Sequence, residues 1–149
     1  MSRFRIERTV AAAPDEVWRR LTDWPAHGAR VPLTRTIVLT PGPNRVGTRF
    51  TARTGIGRFG FDDPMEVVVF APPAPGRTGV CRLEKRGRVV LGRAAFEVTG
   101  TAAGGSRVVW TEELRLRGVP SVCDPVLDPV FAVVGRWVFG RALDGLLRH

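Results

Sequence analysis

One acid in this sequence sits where an acid is costly. Between Arg107 and Arg117, residues Val108, Trp110, Glu112, Leu114 and Leu116 share one parity, while Arg107, Val109, Thr111, Glu113, Arg115 and Arg117 share the other. A β-strand turns the first set toward a common apolar face, with Glu112 as its carboxylate. Burial disfavours the ionised form of an unpaired carboxyl, so Glu112 must be neutral, paired or solvated in a cavity. Three roles stay open: a polar anchor or proton donor for a ligand carbonyl or hydroxyl, a structural pair with an inward arginine such as Arg82, or an edge position that reaches water.

Two further residues have acid–base chemistry within reach. His27, in an irregular stretch after Trp24-Pro25, can act as a general base near neutral pH or simply be an exposed loop histidine. Asp63 belongs to a group with Asp62 and Glu66. Alternation splits neighbours between faces, and the adjoining Pro64 explains acids as turn formers, so a catalytic role for Asp63 is the lesser reading. The catalytic candidates are therefore Glu112, His27 and Asp63, with none committed. Cys81 and Cys123 have neither disulfide-framework nor metal-ligand spacing, and with His27 and His149 as the histidines no metal site is expected. Gly55-Ile56-Gly57 reads as a hairpin rather than a phosphate loop, because no helix follows it.

The chain has 149 residues, enough for one domain spanning 1–149, and a formal charge of +9. Such a charge raises nucleic acid or an anionic membrane as partners. All but one of the 23 basic residues are arginine, however, and they are scattered over strand-like segments; Lys85 is the exception. That bias is what a GC-rich coding sequence produces, so a solvated surface is the main expectation and a nucleic-acid face the lesser. No run reaches the roughly 18 apolar residues of a membrane span, and no apolar segment follows a basic start, so a cytoplasmic location is expected.

These residues need elements to hold them. Phe4 to Val10 alternates as a strand. Pro14, with Asp15 and Glu16 in the first turn and Val17, Trp18, Leu21 and Trp24 at helical spacing, predicts a helix over about 14–24. At most one short helix fits before a strand over 33–40. A hairpin follows, 47–54 into 58–62. A bulge is expected at Asp62-Asp63-Pro64 before 65–70 resumes, then strands over 80–86, 89–99 and 107–117. Parity turns Phe50, Phe59, Phe61, Asp63 and Phe96 inward with Trp110. The Asp128-Pro129 pair is the favoured start of a closing helix to Leu147, with Phe131, Val134, Val138, Ala142 and Leu146 on one face. Val130, Val133 and Trp137 fall near its polar side. They mark a lid, a homodimer interface or a membrane contact, or are buried under residues 120–128.

The opening strand feeding Ala13-Pro14-Asp15-Glu16-Val17-Trp18, the Leu21-Thr22-Asp23-Trp24 ending, Val46-Gly47-Thr48-Arg49-Phe50, the Trp110-Thr111-Glu112-Glu113-Leu114 strand and the closing helix resemble, in order and spacing, the START-like or helix-grip superfamily. That superfamily includes polyketide cyclases/dehydratases and lipid-transfer proteins. The resemblance implies an α+β fold, a curved six- to seven-stranded antiparallel sheet wrapped around the long C-terminal helix, and a hydrophobic cavity between them. It further implies a small hydrophobic ligand, a lipid, polyketide or isoprenoid, lined by Phe50, Phe59, Phe61, Phe96, Trp110, Glu112, Leu114, Phe131, Val134 and Val138, with no cofactor. A cyclase/dehydratase is the alternative and a basic RNA- or ribosome-binding module the second. Aromatic-polyketide cyclases of this fold often place tyrosine in the pocket, and this chain has none, which favours a binder over an enzyme.

Overall fold

The computed structural model describes residues 2–88, 90–118 and 124–148; the side chains of residues 2, 124, 126–128 and 131 fall outside that description. Strand β1 (Ser2–Val10) leads into helices α1 (Pro14–Leu21) and α2 (Trp24–Arg30). Six strands follow, β2 (Thr34–Val38), β3 (Arg49–Ile56), β4 (Phe59–Ala71), β5 (Gly79–Lys85), β6 (Val90–Gly100) and β7 (Ser106–Leu116), and helix α3 (Asp124–Leu147) closes the chain. The strands form one antiparallel sheet in the order β1-β7-β6-β5-β4-β3-β2. Every connection between β2 and β7 joins sheet neighbours, while β1 returns to pair with β7, from Ser2 opposite Leu114 to Val10 opposite Ser106.

The expected first helix is divided. Thr22 turns its hydroxyl back onto the Trp18 carbonyl, which ends α1, and Asp23 caps α2 by accepting from the Ala26 N–H with Pro25 in the first turn. Trp24 therefore begins a second helix instead of ending the first. Its indole N–H donates to Asn44 Oδ1 at 2.9 Å, and Asn44 Nδ2 donates to the Thr22 carbonyl at 2.7 Å. The far turn thus clamps the tryptophan against the sheet. Gly28 makes the contact of α2 with β2 possible, since a Cβ there would lie 2.3 Å from Thr36 Oγ1.

Two boundaries differ from expectation. Strand β4 runs without interruption through Asp62-Asp63-Pro64, and its bulge lies further on, between Val67 and Val69. The Pro64 carbonyl accepts from the Arg86 N–H at 2.7 Å. The N–H that proline lacks would point to that same side, just beyond the end of β5, where no ladder bond is required. Helix α3 starts at Asp124 rather than near Pro129 and carries Pro129 in its interior. The proline forfeits one bond, to the Pro125 carbonyl, close to the end where the helix is least constrained.

The inward face of α3 is also rotated from the expected one. Leu143, Ala142, Leu146 and Leu147 are buried, Phe139 packs half-buried on the core, and Gly135 abuts β1, where a Cβ would lie 2.6 Å from the Phe4 ring. Val134, by contrast, is 51% exposed. The expected stripe stepped by four residues, and each such step overshoots a full turn by about 40°, so the error accumulates to about 120° between Leu146 and Val134. Alternating steps of four and three, Gly135-Phe139-Ala142-Leu146, keep to one line. Val130, Val133 and Trp137 are exposed too, contrary to the alternative that they lie buried; residues 119–123, part of the segment expected to cover them, are outside the described residues.

Candidate functional site

The inner face of the sheet is filled differently at its two ends. Under α1, Val17, Leu21, Phe96, Val98 and Val108 are fully enclosed, and Trp18 meets Phe96 and Phe70 at ring distances of 5.5 and 5.3 Å. Toward β3 and β4 the same face opens into a cavity of about 220 Å3. Its walls include an aromatic arc in which Phe50 stacks on Trp24 at 4.5 Å, Trp24 meets His27 at 5.7 Å, His27 meets Trp110 at 5.2 Å, and Trp110 meets Phe139 at 6.0 Å. A separate hollow on the outside, beside Arg30, Arg35 and Arg53, shares Val31 and Thr34 with the cavity as a common wall.

Three charged side chains converge in this cavity, one from each of three strands. Lys85, at the end of β5, places Nζ 2.6 Å from Asp63 Oδ2 on β4 and 3.6 Å from Glu112 Oε1 on β7. Glu112 Oε2 accepts from the Trp110 indole N–H at 3.3 Å. Lys85 and Glu112 have side chains only 3% exposed and Asp63 14%. Strand β6 separates β5 from β7, and the residues it offers there are small: Ala94 faces Glu112 across the ladder and Gly92 faces Leu114. Gly92 adopts φ +129°, and a Cβ on it would lie 1.9 Å from the Glu113 carbonyl oxygen, so that position must be glycine. The absence of bulk on β6 gives the lysine room to span it.

Burial raises the Glu112 carboxyl above its ordinary range, an effect only partly offset by the Lys85 ammonium and the Trp110 N–H. Burial alone would lower the Lys85 ammonium, but the Glu112 and Asp63 carboxylates outweigh it and hold it above its usual value. Lysine is therefore charged, and Glu112 is biased toward the neutral acid. Asp63 Oδ1 is buried and, among the described residues, has no hydrogen-bond partner. His27 lies in the cavity wall with Nε2 2.5 Å from the Leu21 carbonyl oxygen. An oxygen acceptor requires the hydrogen on Nε2, leaving the lone pair on Nδ1. Desolvation holds this imidazole down to about 4, so it is neutral at physiological pH.

Glu112 thus has neither the arginine partner nor the watery edge weighed for it. Arg82 has the opposite parity from Cys81, Leu83 and Lys85 and is exposed on the other face. Of the expected lining residues, Phe50, Phe61, Trp110, Glu112 and Leu114 reach the cavity, as do His27 and Asp63. Phe59 does not: it keeps the parity of Phe61 but lies at the hairpin end of β4, beyond any covering element, and is 74% exposed. Phe96 is 1% exposed in the packed end and supports the wall from behind. Val138 is half-buried and Val134 exposed, neither on the cavity, because of the rotation of α3. The Phe131 side chain is outside the described residues. Lys85 and Phe139 were missed. The signal for Lys85 was present, since the single lysine among arginines shares parity with Cys81 and Leu83.

An open antiparallel sheet with a long C-terminal helix against its inner face is the helix-grip architecture of START-like proteins. The chain belongs to the family described as polyketide cyclase / dehydrase and lipid transport, whose model matches residues 1–149. Among solved structures, a START superfamily protein from Mycobacterium smegmatis is similar with a TM-score of 0.72 at 13% identity, covering 99% of this chain and 97% of that one. The Zhui aromatase/cyclase from Streptomyces sp. R1128 has a TM-score of 0.64 at 16% identity, covering 97% and 92%. Norcoclaurine synthase from Thalictrum flavum has 0.62 at 15% identity, covering 98% and 93%. At these identities the likeness is one of fold. No curated protein matches the sequence. Among the described residues no helix is long and apolar enough to cross a membrane.

Proposed function

We propose that this protein binds a small, mainly apolar molecule in the cavity between the sheet and α3, with Asp63, Lys85 and Glu112 as its polar contact. The observation that carries this reading is the convergence of three charged groups at a hollow otherwise walled largely by aromatic and aliphatic side chains, the usual composition of a small-molecule site. The size narrows the ligand. At about 220 Å3 the cavity falls below the ~300 Å3 at which sites for drug-sized ligands begin, so one or two rings fit better than a long acyl chain. Native mass spectrometry of gently purified protein, set against its denatured extract, tests the reading together with thermal shifts from ring-sized compounds. A copurifying lipophile or a raised melting temperature is expected; the absence of both would remove the proposal.

The same three groups favour a second reading, a cyclase- or dehydratase-type enzyme. A carboxyl biased toward its acid form, beside an ammonium and a carboxylate, can give a proton to a ligand carbonyl and take one from a neighbouring carbon. Given a substrate, Glu112→Gln then abolishes turnover while binding persists; unchanged turnover removes Glu112 from the mechanism. A polyanion-binding face has less support, because many arginines on the outer strand faces are already paired, as in Arg49 with Glu66, Arg93 with Glu113 and Arg107 with Glu7.

A further inference from the structure

The two ends of the sheet differ in charge as well as in packing. Ser2 lies opposite Leu114, Leu116 opposite Val90, Lys85 opposite Met65 and Ile56 opposite Phe59, which places the turns at 57–58, 86–88 and 117–118 together at one end. These turns carry Arg58, Arg88 and Arg117, all exposed, and no acid. The turns between β2 and β3 and between β4 and β5, at the other end, hold Arg45 and Arg77, whose guanidiniums fold back onto the carbonyls of Pro41, Pro43 and Pro72. Large apolar side chains stand among the first three arginines. Ile56 and Phe59 are exposed on the β3–β4 hairpin. Helix α3 has Gly140 beside the Arg8 guanidinium and Gly135 on the Phe4 ring, so its N-terminal half heads past Ser2 to this same end. There Val130, Val133, Val134 and Trp137, at i, i+3, i+4 and i+7, form one stripe, every member more than half exposed. Two of these rings carry a guanidinium over them, Arg58 at 5.2 Å from Phe59 and Arg141 at 5.3 Å from Trp137.

We infer that this end of the molecule docks on an anionic lipid bilayer, with the α3 stripe and the β3–β4 hairpin in the interfacial layer and the turn arginines on the lipid phosphates. Exposed aromatic rings, aliphatic side chains and arginine stems suit the boundary between headgroups and acyl chains, and the surface potential of anionic lipid attracts the guanidiniums. A second copy of this chain is a poorer occupant, because two such ends would set Arg58, Arg88 and Arg117 against their own kind. Nucleic acid would engage the arginines and the two rings but leave Ile56, Val130 and Val133 in water. The inference does not depend on what fills the cavity.

The test is cosedimentation of the full chain at pH 7 with vesicles of phosphatidylcholine, alone or mixed with about 30% phosphatidylglycerol. Binding to the mixed vesicles at low salt is expected to be about tenfold or more tighter than to the neutral ones, and to be lost at about 0.5 M salt. Arg58→Ser and Arg117→Ser should each weaken it about fivefold, one basic residue's worth at such a surface. Phe59→Ser and Trp137→Ser should each weaken it about tenfold or more, while Leu39→Ser, an exposed position at the other end, changes nothing. The unaltered protein supplies a second readout, because Trp18, Trp24 and Trp110 are buried and Trp137 is 63% exposed. Mixed vesicles with brominated acyl chains should quench its tryptophan emission, and Trp137→Phe should abolish the quenching. No binding to the mixed vesicles at low salt overturns the inference. So does binding that responds to Arg58→Ser but not to Phe59→Ser or Trp137→Ser, since any basic protein would show it. A dimer that Val133→Ser dissolves, or polyuridylate bound more tightly than the vesicles, overturns it in favour of a second copy or of RNA.

Discussion

The two ends of the sheet's inner face are built from the same alternation yet hold opposite contents. Under α1 the inward positions are Phe96, Val98 and Val108, closed over by Val17 and Leu21 without space for a ligand. A few residues further along the same strands the inward positions become Lys85, Ala94 and Glu112, and the space above them stays open. What differs is the cover. At the packed end helix α1 brings Val17, Trp18 and Leu21 onto the sheet; at the open end α2 contributes only a side wall, Trp24 and His27, while α3 lies against β1 through Gly135 and Phe4. A polar group is tolerable only in the second place, because a charge needs either partners or room for solvent and ligand. The cavity and the charges are two consequences of one gap in the packing.

The sharpest way to break this contrast is to damage each end separately. Phe96→Ala should cost about 4 kcal/mol by leaving a void in a close-packed site, with a loss that chemical denaturation finds unchanged between pH 7 and pH 5. Lys85→Met should cost about 3 kcal/mol at pH 7, since it removes the ammonium that both Asp63 and Glu112 face in a nearly closed site. The part of that loss owed to Glu112 must shrink as pH falls and its raised carboxyl takes up a proton. If both losses respond to pH alike, the two ends are not chemically distinct.

A pH titration of the unaltered protein comes next. His27 has its folded value near 4 against an unfolded value of about 6.5, so between these limits the unfolded chain binds the extra proton and stability falls as pH is lowered. The loss approaches about 3 kcal/mol at pH 4. His27→Gln should flatten the curve in that window. Glu112 acts with the opposite sign: its raised carboxyl binds a proton in the folded state first, adding stability that is lost as pH rises through its folded value. The His27 slope is therefore cleanest in a Glu112→Gln background.

The smallest effect concerns α3. Val133→Ser and Val134→Ser should each change stability by less than about 0.5 kcal/mol, as exposed positions do, while Leu143→Ala, fully buried on the same helix, costs about 2–5 kcal/mol. A large loss at Val134 in urea denaturation would restore the unrotated helix face.

Much of this molecule was readable from its residues. The order of elements, the inward parity of Phe50, Trp110 and Glu112, and the discomfort of Glu112 all follow from local rules, in which a side chain's face is decided by counting along one strand. The partner of Glu112 was not readable, because Lys85 lies on a strand two places away, and closeness there depends on sheet order, register and the small residues of β6. The same limit applies to Asp63, which looked like a turn former until β4 proved continuous through Pro64. Helix α3 shows it again: a stripe counted in fours drifts around the helix, and only contact with Phe4 on β1 identifies Gly135 and Phe139 as the inward line. Alternation and capping are properties of neighbours in sequence, and they determined the container. The cavity and its charged trio are properties of distant residues brought together, and tertiary packing alone decided them.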